Sequence, residues 1–432
     1  MVQARKLTRF AGRPRGVFYG WWLAVTAALV MVIGTVPMFQ GMPIWFVVLE
    51  RGFHWNSAQL SLAFSLSRVE GSIMGPIAGY LIDRVGPRRM VLIGMSVLGI
   101  GFVAFSRVNS LWQFYLVFIV MSSGTGLGTW LPMMTVLNNW FVRRRSIAMG
   151  IAMVGFAMGG VLLVPALAWS VDPDRFGLNA WRNSALLTGA VIILVAYPIS
   201  RMVRDRPEDY GQIPDGDLRE PASPPGDESG AGAADFDYTW QQAIRTKAFW
   251  LISMGHACSS IVIVTLMVHL GTLLTDRGFS LQTVAWVVAA QTGVSAVFNL
   301  VGGYVGDRIP MRLALFGFSA IQSGALILLL MIQSPAMAFL FAVVFGVGFG
   351  GRTPLTTSIR GLYFGRRAFA SITGISMIPM NVFLLVSPLF AGIMFEATGS
   401  YDIPFTVVAV VSFMGAVMFL FLGKPKPSLE KG

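Results

Sequence analysis

Apolar positions in this chain gather into long, nearly unbroken runs, unlike the stripe repeating every three to four residues that marks a soluble amphipathic helix. Twelve runs come close to or exceed the roughly 20 residues that span a hydrocarbon core: 18–49, 57–81, 90–107, 111–141, 146–170, 181–203, 249–275, 281–306, 312–333, 336–362, 368–395 and 403–423. Gly and Pro inside them are no objection, because packed membrane helices tolerate both. The pattern predicts an all-α polytopic membrane protein with twelve transmembrane helices. Between the sixth and seventh runs the composition changes to Pro, Gly and acidic residues, as in "RPEDYGQIPDGDLREPASPPGDESG", too poor in apolar side chains to form a core. The expected organisation is a tail at 1–17, a first bundle at 18–203, a linker at 204–248, a second bundle at 249–423 and a tail at 424–432. Within the linker, Thr239 is placed to cap a short interfacial helix.

Composition and charge narrow the class. With 55% hydrophobic and 12% charged residues and a mean hydropathy of +0.68, an ordinary soluble globule is excluded. Of 32 Lys and Arg, 24 fall on one side of the predicted membrane, including Arg5, Arg84, Arg88, Arg89, Arg143, Arg144, Arg145, Arg308, Arg366 and Lys424. The positive-inside rule then makes both termini cytoplasmic. Topology thus accounts for the net charge of +12 without nucleic acid as a partner. The first run has no short apolar segment with a small-residue cleavage site and reads as a retained helix. A single cysteine, Cys258, excludes an intrachain disulfide framework, no His/Cys spacing marks a metal site, and no phosphate-cradling G-x-x-x-x-G-K-[ST] occurs. No cofactor is expected, and energy would come from a proton gradient, with sodium as the other coupling ion open.

The two halves repeat each other. Gly79 to Arg84 reads G-x-x-x-D-R, and Gly303 to Arg308 reads G-x-x-x-D-R again 224 residues later. The same shift carries Gly124 and Gly126 onto Gly348 and Gly350, Gly150 onto Gly374 and, within one residue, Phe141 onto Phe364. Agreement at separate places predicts two pseudo-symmetric six-helix bundles with a substrate path where they meet.

The stretch "GYLIDRVGPRR" at 79–89 resembles the G-x-x-x-D-R-x-G-x-R-R signature between helices two and three of the major facilitator superfamily. The resemblance implies an alternating-access transporter whose Gly79, Asp83, Arg84, Gly86, Arg88, Arg89, Gly303, Asp307 and Arg308 form a conformational latch. Physically, Gly79 permits close helix approach, Asp83 can pair with Arg84 or with a neighbouring helix N-terminus, and Arg88 and Arg89 can anchor at an anionic leaflet. The bland alternative is a topogenic charge cluster. A second stretch, "WFVRRRSIAMGIAMVG" at 140–155, is similar to the start of helix five in the monocarboxylate transporter branch through Trp140, Phe141, Arg143, Arg144, Arg145, Gly150 and Gly155. "FYGWW" at 18–22 and "RPEDYGQIPDG" at 206–216 also look like bacterial members of that branch and of its oxalate/formate relatives.

Departures from the branch matter as much. The membrane-embedded Lys common in its first helix is absent from 18–49, and the helix-eleven Lys of the oxalate carriers is absent from 368–395. At the eighth-helix position of a carboxylate-binding Arg stands Asn299, with Ser295 where an Asp is common. In their place the chain offers Arg68, Glu70 and Arg352 near the middle of spans, where a charge costs about 2.5–3.5 kcal/mol and is usually retained for function. Arg68 and Glu70 lie about 200° apart around a helix, and Arg68 shares its stripe with Gly71, Gly75 and Gly79. One reading gives a substrate carboxylate to Arg352 or Arg68 and a proton to Glu70. The rival reading is a permanent Glu70 ion pair with one Arg. Arg360 is expected to snorkel toward the cytoplasm, and Gln40, Gln291, Asn299, Asn381 and His256 complete the substrate and coupling candidates.

The function these readings imply is secondary transport of a small, monocarboxylate-like organic anion coupled to protons, through a protein most simply monomeric in the lipid bilayer. Proton-coupled efflux of amphiphilic compounds is the alternative. A membrane sensor or embedded enzyme is the alternative of another class; neither a nucleophile–base spacing nor a soluble sensing domain supports it.

Overall fold

The computed structural model describes residues 17–177, 179–216 and 237–423. The expected basic tails at Arg5 and Lys424, and the middle of the linker, lie outside these residues. Twelve long helices follow one another: α1 Tyr19–Phe53, α2 Ser57–Val85, α3 Pro87–Phe105, α4 Leu111–Trp140, α5 Arg145–Ser170, α6 Ala180–Met202, α7 Lys247–Asp276, α8 Leu281–Gly306, α9 Met311–Leu330, α10 Pro335–Phe364, α11 Phe369–Thr398 and α12 Asp402–Leu420. Eleven are long and apolar enough to cross a bilayer; α2, which carries Arg68 and Glu70, is the twelfth and less apolar. The protein is a multi-pass membrane protein.

Side-chain oxygens start several of these helices. Asn56 accepts the Gln59 N–H in a capping box before α2, and Ser110, Thr246, Ser280 and Ser334 accept an N–H three residues on before α4, α7, α8 and α10, each pairing one of the four donors a helix start leaves unpaired. Thr239 does the same in a capping box for a short helix, Trp240–Ile244. Between α2 and α3, Gly86 turns the chain at φ +96°, a conformation L side chains rarely adopt. α1 is interrupted: a π turn at Met31–Thr35 and a break at Gln40–Gly41 divide it. The Gly41 N–H bonds back to Val36, and the Trp45 indole N–H takes up the Pro37 carbonyl at 3.1 Å. Trp45 is buried against Phe102 and Phe105, so it is a packing aromatic.

Large apolar side chains such as Trp112, Leu194 and Ile393 face outward, as expected of a surface dissolved in lipid. The interior holds one apolar core in the first bundle and two in the second. A smaller cluster of Ala78, Ile82, Met90, Leu131 and Ala370 joins the two bundles. Duplication is visible in the packing. A Cβ on Gly124 would fall 2.6 Å from the Leu98 nitrogen, and one on Gly348 would fall 2.4 Å from the Gln322 nitrogen; Leu98 and Gln322 are themselves 224 residues apart. Only Gly at both places lets α3 touch α4, and α9 touch α10, backbone to backbone.

Candidate functional site

The bundles meet through two matched contacts on the side of the molecule that carries the linker. Asp83, in the last turn of α2, accepts the backbone N–H groups of Ala370 (3.2 Å) and Ser371 (2.8 Å) at the start of α11. Asp307, at the end of α8, accepts those of Ser146 (2.9 Å) and Ile147 (3.0 Å) at the start of α5. Ser146 and Ile147, shifted by the repeat of 224, are Ala370 and Ser371. Each carboxylate therefore sits on the positive end of a helix from the other bundle. Glycines make the approach possible: a Cβ on Gly79 would lie 2.3 Å from the Ala370 carbonyl oxygen, and one on Gly303 2.6 Å from that of Ser146. Further along, Gly75 faces Gly374, and Gly150 faces the backbone of Asn299.

Of the arginines in this motif, Arg84 bonds to Tyr80 within its own helix (2.8 Å), and Arg308 bonds to Tyr304 in the same way. Neither pairs with its neighbouring Asp. The Arg88 backbone N–H is taken by Asp205 of the linker at 2.7 Å. Burial pushes the Asp205 carboxyl above its ordinary range, and the Arg88 N–H and guanidinium pull against that shift. A polar cavity of about 330 Å³ lies here between Asp83, Arg206, Asp209, Thr135 and Arg366.

Two other linker acids extend the symmetry. Asp215 accepts the N–H groups of Val142, Arg143 and Arg144 before α5, while Asp237 accepts those of Arg366 and Arg367 before α11; Val142 and Arg366 are again 224 apart. Glu208 pairs with Arg366 at 2.8 Å, and Arg366 also donates to the Asn139 carbonyl across the bundles. The three stretches that resemble the monocarboxylate branch pack as one unit. Phe18 touches Trp140 and Phe141, Trp21 meets Phe141 in a tilted ring contact, the Trp140 indole donates to the Arg204 carbonyl, and Arg204 lies over Tyr19 and Tyr210. Arg145 is buried and donates to the Phe141 carbonyl, and Gly155 lies on the backbone of Ala28.

Within the membrane-spanning region the charged candidates are kept apart. Glu70 accepts the hydroxyls of Ser122 (2.9 Å) and Ser123 (2.6 Å) on α4. Arg352 is 1% exposed inside the second bundle, donating from Nε to the Gln322 side chain on α9 and from Nη2 to the Ser259 carbonyl on α7 (3.0 Å). No ion pair joins Glu70 to Arg352 among the described residues. Arg68 lies over the Phe39 ring of α1, its centre 5.9 Å away, and its stripe mates Gly71, Gly75 and Gly79 face α11 through Asn381, Gly374 and Ala370.

Arg360 departs from the expectation of snorkelling. It is fully buried and donates to Ser376 (2.6 Å), to the Thr356 carbonyl and to His256 Nδ1 (3.0 Å). Guanidinium has no acceptor atom, so His256 must accept through Nδ1 and is neutral in this arrangement. His269 bridges Tyr401 and the Pro388 carbonyl. Gln40 donates to the Phe156 carbonyl, whereas the side-chain oxygens of Gln291 and Asn299 are buried without a hydrogen-bond partner among the described residues. Sequence reasoning misses Asp205, Asp215 and Asp237, which look like solvated linker acids, and the neutral partners Gln322, Ser259, Ser122 and Ser123.

The chain is similar over most of its length to known transporters. It is 27% identical to mouse (Mus musculus) monocarboxylate transporter 11, covering 96% of this chain and 89% of that protein. It is 23% identical to human (Homo sapiens) monocarboxylate transporter 1, covering 94% and 85%, and 24% identical to the probable sulfoacetate transporter SauU of Cupriavidus necator, covering 85% of each. Its fold resembles the crystal structure of FucP, a major facilitator transporter in the outward conformation, with a TM-score of 0.70 at 12% identity over 94% of this chain and 99% of that one. The family profile of the Major Facilitator Superfamily matches residues 18–283 and 252–432, and the chain, with its twelve helices and mirrored interbundle contacts, belongs to that superfamily and is a transporter.

Proposed function

We propose that the protein moves a small organic anion across the membrane by alternating access, in symport with protons. The observation that carries this reading is Arg352, a buried guanidinium that donates to two neutral oxygens, lies over the Phe349 ring and meets no acid among the described residues. A cation placed there is expensive, and a substrate carboxylate would repay it through the fork geometry of arginine. Relatives named as monocarboxylate and sulfoacetate transporters support an acidic substrate. Glu70 supports proton coupling. It is the acid nearest the middle of any described span and is held by two serine hydroxyls, with no ion pair among the described residues, so a proton can be taken up or released without breaking one.

In this reading the linker side, which carries most of the Lys and Arg, is cytoplasmic. The Asp83 and Asp307 caps hold that side closed, and both must break when the bundles rock. The test is uptake of labelled carboxylates into proteoliposomes under an imposed proton gradient, a sodium gradient or none. At least one acid should accumulate with the proton gradient, and Arg352→Gln should abolish that uptake. Failure of every acid to enter, or full activity in Arg352→Gln, would overturn the assignment.

A further inference from the structure

Arg352 is gripped by one side chain on two sides. Its Nε donates to Oε1 of Gln322 on α9, its Nη2 donates to the Ser259 carbonyl on α7 at 3.0 Å, and Nε2 of Gln322 donates to that same carbonyl at 3.1 Å. The three bonds close a ring. Guanidinium has no acceptor and a carbonyl no donor, so the amide can face only this way round. Gln322 is fully buried and Arg352 is 1% exposed, which leaves solvent no part in the arrangement.

Helix packing does not require an amide at this place. Shifted back by 224, Gln322, Ser259 and Arg352 become Leu98, Thr35 and Gly128. Leu98 and Gln322 hold equivalent positions, their backbone nitrogens 2.6 and 2.4 Å from a Cβ placed on Gly124 and on Gly348. Their side chains also run the same way: Leu98 lies 3.7 Å from a Cβ on Gly34 of α1, next to Thr35, and Gln322 reaches Ser259 of α7. Both are fully buried. Leucine therefore fills the site where α4 offers only Gly128, and glutamine stands where α10 offers Arg352. The amide answers the guanidinium and not the fold.

We propose that Gln322 is a positioning residue for anion binding: it clamps the Nε–Nη2 edge of Arg352 so that the terminal Nη1–Nη2 edge is presented to the substrate acid. A guanidinium has five N–H donors. The ring uses the one on Nε and one on Nη2, and no hydrogen bond from Nη1 is present among the described residues. What is left includes the parallel pair at the end of the fork, the pair a carboxylate takes bidentately. The Phe349 ring, 5.8 Å from Cζ, restrains the same group from one face. An arginine already fixed on folding gives up less rotamer freedom when an acid arrives, so the acid binds more tightly. This role rests on the organic-anion reading and deepens it.

Isothermal titration of the purified full chain with acetate, propionate and sulfoacetate tests the clamp in wild type, Gln322→Leu, Arg352→Lys and the double variant. Wild type should bind at least one of these acids, and Gln322→Leu should weaken that binding by at least about tenfold. Arg352→Lys should cost about tenfold or more in the wild type but less than about threefold in the Gln322→Leu background, where the fork is no longer aimed. Lost stability alone would not produce that coupling. Gln322→Asn keeps an amide but falls one methylene short of spanning Nε and the Ser259 carbonyl; it should show the same coupling and serves where Gln322→Leu does not fold. Binding by these Gln322 variants within about threefold of wild type, or an Arg352→Lys penalty equal in both backgrounds, would overturn the positioning role and leave Arg352 as the anion site. An Arg352→Lys protein that binds as well as wild type, or a wild type that binds none of the acids, would bring down the anion site and the role of Gln322 together.

Discussion

Asp307 of the second bundle accepts the backbone N–H of Ser146 in the first at 2.9 Å, and its counterpart Asp83 accepts the equivalent N–H of Ser371's neighbour Ala370 at 3.2 Å. A carboxylate on a helix N-terminus is worth roughly 0.3–2 kcal/mol through the dipole, and a hydrogen bond to a charged group about 1.5–3 kcal/mol. Two such caps make linker-side closure stable yet reversible, since neither uses a buried ion pair.

Replacing either acid by its amide tests the caps. Asp83→Asn and Asp307→Asn should each shift the population away from linker-side closure by roughly five- to thirtyfold, leave folded protein in the membrane, and slow transport. The readout is the distance distribution between spin labels on the linker-side loops of the two bundles. Unchanged distances in both variants would remove the latch role.

The glycines at the same contacts give a prediction that involves no charge. A methyl group at residue 79 would come within 2.3 Å of the Ala370 carbonyl oxygen, and one at residue 303 within 2.6 Å of that of Ser146, both backbone atoms that cannot turn aside. Gly79→Ala and Gly303→Ala should therefore displace the same distance distribution in the same direction as the amide variants. Cysteine crosslinking across the interface should fall in parallel.

Much of this arrangement is legible in the sequence, and the limits have physical causes. Twelve spans can be read because bilayer thickness sets their length, although the Asp83 signature, read as a loop, turns out to occupy the last turn of α2. The repeat of Asp83 at Asp307 is plain. Their partners are not, because those are backbone N–H groups, present at every residue but proline. Asp215 and Asp237 stay hidden for the same reason. The separation of Glu70 from Arg352 depends on which way each helix is turned, and a single sequence with charges two or more helices apart does not fix that. Arg360, four residues from the end of α10, looks free to snorkel; only the packed positions of His256 and Ser376 turn it inward.

The linker acids should behave as fasteners. Asp215→Ala strands three N–H groups before α5, and Asp237→Ala strands two before α11. Because most of these bonds are at the solvent-exposed surface, each should lower stability by only about 0.5–1.5 kcal/mol, seen as a lower melting temperature in detergent, and should raise the rate at which a protease cuts the linker. An Asp215→Ala protein with wild-type melting and cutting would show that solvent replaces those bonds without cost.

Glu70 should separate binding from coupling. Glu70→Gln can accept from one serine hydroxyl through its carbonyl oxygen and donate from its amide nitrogen to the other serine oxygen, so exchange of labelled for unlabelled acid should persist. Accumulation driven by a proton gradient should be lost, because the amide cannot titrate. Loss of exchange as well would make Glu70 part of the binding site or of the packing.

The last prediction concerns the ion pair that the sequence allows between Glu70 and Arg352. A buried pair broken on one side costs about 3–5 kcal/mol, much of it recovered when the second charge is also removed. The structure instead gives each residue its own neutral partners, Ser122 and Ser123 for Glu70 and Gln322 and Ser259 for Arg352. Arg352→Gln, Glu70→Gln and the double variant should then show stability changes that add to within about 0.3–0.5 kcal/mol, the behaviour of residues without shared partners. Anion binding should separate the sites further. It should be lost in Arg352→Gln, weakened by about 1.5–3 kcal/mol in Arg352→Lys, which keeps the charge but not the fork, and remain lost when Glu70→Gln is added. Restored stability in the double variant would reinstate the ion pair, and restored binding there would mean that Arg352 does not hold the substrate acid.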